Sequence, residues 1–72
     1  MTETNERTAL AESSEAAGWS RRIDESVDVY LRGPSRVRVI WSGDALAGGS
    51  RFQDGIMEAY SREMSAVKGW LR

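Results

Sequence analysis

The sequence has no cysteine and no histidine, one proline, and Lys68 as its only lysine. Without thiol or imidazole there is no thiolate or imidazole catalysis, no ordinary zinc site and no disulfide. No apolar run approaches the roughly 18 residues that a spanning helix needs. The N-terminus is acidic and lacks the basic-then-apolar order of an export signal, so a cytoplasmic setting away from the membrane is expected. At 72 residues only one small domain fits. Nine arginines to one lysine, with many Ala, Gly and Val, fit a GC-rich coding sequence of a bacterium or phage.

What charge there is lies unevenly. Residues 1–18 set Glu3, Glu6, Glu12 and Glu15 against Arg7, a formal −3, and offer a core little beyond Met1, Leu10 and alanines. Residues 19–72 set eight arginines and Lys68 against four Asp and three Glu, a formal +2. The first stretch cannot offset its ordering entropy and reads as a disordered acidic arm with at most a nascent helix near Thr8–Ala17. Residues 19–72 read as a single small α+β domain.

Residues 36–41, Arg-Val-Arg-Val-Ile-Trp, are the clearest strand signal, with β-branched and aromatic residues in alternation. Pairing with residues 26–32 through a three-residue turn, Gly33-Pro34-Ser35, gives a β-hairpin over about 26–32 and 36–42. That register sets Leu31 opposite Val37, Val29 opposite Val39 and Val27 opposite Trp41, all on one face. Trp19, Ile23, Val27, Tyr30 and Leu31 also stand at helical spacing ahead of Gly33-Pro34, so a helix is the competing reading of residues 20–32.

A Gly-rich loop leads to the C-terminal third. Ser50 and Gln53 fit a capping box, and Phe52, Ile56, Ala59, Tyr60, Met64, Val67 and Trp70/Leu71 recur at three- and four-residue steps. Together they predict one long α-helix over about 51–71. Gly55 is its blemish and can instead mark a later helix start, with residues 56–60 as a third strand.

So short a chain, without a covalent or metallic clasp, rarely builds a self-sufficient core. It nevertheless carries Trp19, Trp41, Trp70, Phe52, Tyr30 and Tyr60, more than one hairpin face and one helix can cover. Exposed large aromatics anchor interfaces. The expected function is therefore non-catalytic protein–protein interaction, as a homo-oligomer or as a small regulator or inhibitor docking on a larger protein. Tyr60, Met64, Val67, Trp70 and Leu71 on the helix are the expected contact surface.

Three further constellations carry sharper readings. Tyr30, Arg32, Arg36 and Arg38 on the hairpin can track a nucleic-acid backbone, the second functional reading. Gly48, Gly49, Ser50 and Arg51 at the predicted helix start can present free amides to an anion. Trp41-Ser42-Gly43 resembles the Trp-x-Gly turn of the small helical-hairpin proteins of type VII export. That resemblance spans three residues, and the preceding segment here is strand-like where that family has a helix, so neither fold nor secretion is carried over. A serine nucleophile lacks a base, and Asp44 and Asp54 read as ordinary loop and first-turn residues. No catalytic residue, metal site or cofactor is expected.

Overall fold

A computed structural model describes residues 6–43 and 45–72. Tight turns set its architecture. Helix α1 (Glu6–Ala16) is followed by β1 (Ser20–Asp24), β2 (Val27–Arg32), β3 (Ser35–Ser42), β4 (Ala45–Gln53), β5 (Ile56–Ser61) and a short helix α2 (Met64–Trp70). The strands form one antiparallel five-stranded sheet in chain order. Each strand therefore pairs with its sequence neighbour across a short turn. At the turn between β2 and β3, Arg32 pairs with Ser35 and Gly33 takes φ +58°. Two-residue hairpin loops need that left-handed conformation, and glycine adopts it without strain. Between β4 and β5, Asp54 and Gly55 both have positive φ (53° and 82°), as the Asp-Gly turn of a tight hairpin requires.

The predicted long helix over 51–71 is not formed. Residues 45–61 are two strands, and α2 covers only Met64–Trp70. The helical spacing misled because β5 is bulged: Arg51 pairs with Ala59 but Phe52 with Met57, leaving Glu58 as the extra residue. The bulge puts Met57 and Tyr60, three apart, on the same face, where a regular strand would separate them. The Gly-rich loop is not a loop either, since Gly48 and Gly49 lie within β4.

The disordered acidic arm is likewise corrected over the described residues. Glu6–Ala16 is helical, and Leu10 and Ala11 are buried. The helix closes with the Trp19 N–H donating to the Ser14 carbonyl at 3.1 Å, which satisfies an end-of-helix acceptor and turns the chain into β1. Residues 1–5 lie outside the described residues, as does Asp44.

A hairpin does occupy the region around 26–42, but with a two-residue turn and a register one residue away from the expected one. Tyr30 faces Val37 and Asp28 faces Val39, while Val27, Val29 and Leu31 stand opposite Ile40, Arg38 and Arg36. A shift of one residue exchanges the faces of β2. Both helices pack on the face bearing Tyr30, Val37, Val39 and Trp41, where Leu10, Trp19, Val67 and Leu71 complete the core. Trp19 and Trp41 are thus buried and Trp70 is half-buried against the core. Of the six rings, Trp19, Tyr30 and Trp41 are buried, Phe52 and Trp70 are partly buried, and Tyr60 is exposed, beside exposed Ile23, Ile56 and Met57.

Candidate functional site

The face of the sheet away from the helices is built in rows fixed by strand register. One row runs Ser20, Leu31, Arg36, Phe52, Met57; the next runs Arg22, Val29, Arg38, Ser50, Tyr60; a third holds Asp24, Val27, Ile40 and Gly48. On β2, next to the edge strand β1, Val27, Val29 and Leu31 form an aliphatic stripe that is only half-buried. Arg22 on β1 flanks it on one side, and Arg36 and Arg38 on β3 flank it on the other. A shallow concavity of about 650 Å³ lies here, lined by Arg22, Ile23, Asp24, Val29, Leu31, Arg36 and Arg38. An antiparallel sheet with one solvated face ordinarily shows polar residues there, so a contiguous aliphatic stripe among interior strands is a departure.

The arginines outnumber Asp24, the carboxylate of this face's third row, and form no ion pair among the described residues. Among the described residues the ion pairs are Arg7–Asp28, Arg21–Asp28 and Arg51–Glu58, and none involves Arg22, Arg36 or Arg38. The Arg36 guanidinium lies 4.6 Å over the Phe52 ring, and its Nε is buried without a hydrogen-bond partner. Glu6, Glu12 and Glu15 belong to α1, which packs on the opposite side of the sheet.

The other group of charges is a closed clamp under α1. Asp28 is fully buried on the helix-covered face; Arg7 grips it through Nε (2.9 Å to Oδ2) and Nη2 (2.6 Å to Oδ1), and Arg21 adds a bond of 3.1 Å. Burial alone would raise the Asp28 pKa, but the hydrogen bonds from Arg7 and Arg21 outweigh it and hold the carboxyl below its ordinary value. Burial first, and then the Asp28 charge, push the neighbouring Tyr30 hydroxyl up to about 12. With Asp28 saturated and sealed from solvent, the cluster ties α1 to β1 and β2 and offers a substrate no approach.

The residues singled out from the sequence are dispersed. Val67 and Leu71 are core residues, Met64 and Trp70 pack partly against the core, and Tyr60 stands exposed on β5. These five therefore do not form the outer face of one helix. Tyr30 is buried, and Arg32 lies on its side of the sheet, 4.3 Å over the Trp19 ring and donating to the carbonyls of Ala17 and Arg72. Only Arg36 and Arg38 of that group reach the open face. Gly48, Gly49, Ser50 and Arg51 are strand residues in register with β3 and β5, not a helix start, so the free amides expected for an anion are absent. Gly43, of the Trp-x-Gly triplet, opens the turn between β3 and β4 instead of joining two helices.

Sequence reasoning missed Arg22, Val27, Val29, Leu31, Ile40 and Phe52 as a surface. The available signal was Gly33-Pro34, read as two residues rather than three. Compared with known proteins, the chain matches no family model, no curated protein and no solved structure. Among the described residues no helix is long and apolar enough to cross a membrane, and no group of acids is placed to hold a metal.

Proposed function

We propose that this protein is a non-catalytic interaction module that docks on a larger protein through the uncovered face of its sheet. The observation that carries the reading is the aliphatic stripe Val27, Val29, Leu31 with Ile40, borne by interior strands on the side that neither helix covers. Contiguous apolar surface of that kind marks an interface. Self-association by this face is disfavoured, because stacking two copies would bring Arg22, Arg36 and Arg38 against their own counterparts. The arginine-for-lysine bias supports a bacterial or phage origin, with the cytoplasm as the setting of the interaction.

Affinity capture with two matched baits tests the proposal: the intact chain, and the Val29→Asp/Leu31→Asp variant checked for an unchanged circular dichroism spectrum. A protein retained by the first and lost by the second supports it. An identical set on both baits removes this face from consideration.

The second reading is nucleic-acid binding, supported by three unpaired arginines sharing a face with the Phe52 and Tyr60 rings. Retention on DNA or RNA that weakens steeply as salt is added is the result it requires.

A further inference from the structure

We infer that the part of the partner seated on this face is an acidic amphipathic helix; the inference rests on the docking reading above and specifies the chemistry of what docks. The apolar stripe belongs to β2, and β2 and β3 are hydrogen-bonded to neighbours on both sides. A partner cannot add a strand there and must offer side chains. The two edges carry exposed apolar residues as well, Ile23 on β1 and Ile56, Met57 and Tyr60 on β5, but a strand added at either edge would leave the stripe on β2 uncovered, and the bulge at Glu58 breaks the regular ladder of β5.

Spacing selects the helix. Arg22 and Arg38 both stand opposite Val29, from the two strands beside β2, which places them about 10 Å apart. That is about the diameter of an α-helix with its side chains. From Val27 to Leu31 the stripe runs about 14 Å along the strand, the length of about nine helical residues. A helix laid along β2 therefore seats an apolar ridge on Val27, Val29 and Leu31, with one flank over Arg22 and the other over Arg36 and Arg38.

Charge then selects its composition. The three cations have no carboxylate partner among the described residues, and carboxylates on both flanks of the helix supply one. Asp24 shares the Val27 row and is the carboxylate that lines the concavity, so a basic residue belongs at that end of the helix. A second copy would set arginines against arginines. A single-stranded nucleic acid needs a run of aromatic platforms, whereas the side chains between these cations are aliphatic, Phe52 already lies under Arg36, and Tyr60 stands apart on β5.

The test titrates isotope-labelled full-length protein with four probes while amide shifts are followed. The first is a peptide of about 18 residues with leucines at i, i+3, i+4 and i+7 and glutamates on both flanks. The others are the same peptide with lysines for the glutamates, the same with serines, and an oligothymidine of about 20 nucleotides. The glutamate peptide should perturb Arg22, Val27–Leu31 and Arg36–Ile40, bind at least about tenfold tighter than the lysine or serine forms, and weaken about tenfold between about 0.05 and 0.5 M salt. Arg38→Glu, at an exposed side chain, should cost about tenfold in affinity with the thermal melt unchanged. Equal binding of the serine or lysine peptide at these residues would overturn the acidic assignment and leave the docking face standing. Tighter binding of the oligothymidine at the same residues would replace the helix with nucleic acid. No perturbation of these residues by any probe at about 1 mM would overturn both readings.

Discussion

On the helix-covered face of the sheet, Tyr30, Val37, Val39 and Trp41 are at most 2% exposed, and a carboxylate, Asp28, is buried among them. On the open face, Val27, Val29, Leu31 and Ile40 are only partly buried, between arginines. The same strand, β2, thus turns its polar and phenolic residues inward and its aliphatic ones outward. Hydrophobicity alone would orient it the other way. Two local effects decide the contest: a two-residue turn at Gly33-Pro34 fixes the register, and Arg7 and Arg21 make Asp28 tolerable inside. The aliphatic stripe left over is what a partner can cover.

The contrast is broken most severely by truncating the covered face. Trp41→Ala should cost about 3–5 kcal/mol, which is comparable with the whole stability of a domain this small, about 5 kcal/mol. Urea denaturation should find that variant largely unfolded at 25 °C. Val29→Ala, on the open face, should cost less than about 1 kcal/mol. Equal losses at the two positions would show that both faces are buried.

Next comes the clamp. Asp28→Ala leaves Arg7 and Arg21 without their carboxylate, and breaking a buried pair costs about 3 kcal/mol. Its acid dependence follows from the direction of the shift. Because the folded Asp28 pKa lies below the unfolded one, its contribution is complete above the ordinary aspartate value of about 4 and is lost as pH falls through the lower folded value. Melting temperatures taken from pH 6 down to pH 2 should fall more steeply for the parent chain than for Asp28→Asn.

The adjacent glycines of β4 sharpen the comparison at smaller scale. A Cβ on Gly49, on the covered face, would meet Val67 Cγ2 at 2.7 Å and Trp70 Cζ3 at 3.4 Å, so Gly49→Ala should push α2 outward at about 1–3 kcal/mol. A Cβ on Gly48 would meet the Tyr60 hydroxyl at 2.8 Å, but that ring end is free to swing into solvent. Gly48→Ala should therefore cost under about 1 kcal/mol by thermal melting. Smallest of all, Arg38→Ala should leave stability within about 0.5 kcal/mol.

The sequence made β3 legible, because Arg-Val alternation over residues 36–39, followed by β-branched Ile40 and aromatic Trp41, favours a strand. It made β4 and β5 illegible for a physical reason. The bulge at Glu58 inserts one residue, and the resulting three-residue spacing of Met57 and Tyr60 imitates a helix, while Asp54-Gly55 was absorbed as a first turn and a blemish. Helix α1 was hidden by its meagre apolar content. Leu10 and Ala11 suffice because Arg7, on the same helix, is tied to Asp28 twenty-one residues away. The open face was hidden by the turn, since counting Gly33-Pro34-Ser35 instead of Gly33-Pro34 turns Val29 from outside to inside. Arg36 and Arg38 are legible as a pair on one face, but the register carries Tyr30 and Arg32 to the other side.

Because the chain has no native thiol, single cysteines can report that orientation directly. The decisive measurement is the thiol-labelling rate of Val29→Cys beside that of Val37→Cys. Val29→Cys should react without waiting for unfolding and become protected when the glutamate-flanked peptide is added, while Val37→Cys reacts only as fast as the protein unfolds. Labelling of Val29→Cys that is limited by unfolding in the free protein would mean the stripe faces inward, and the account of the open face would be wrong.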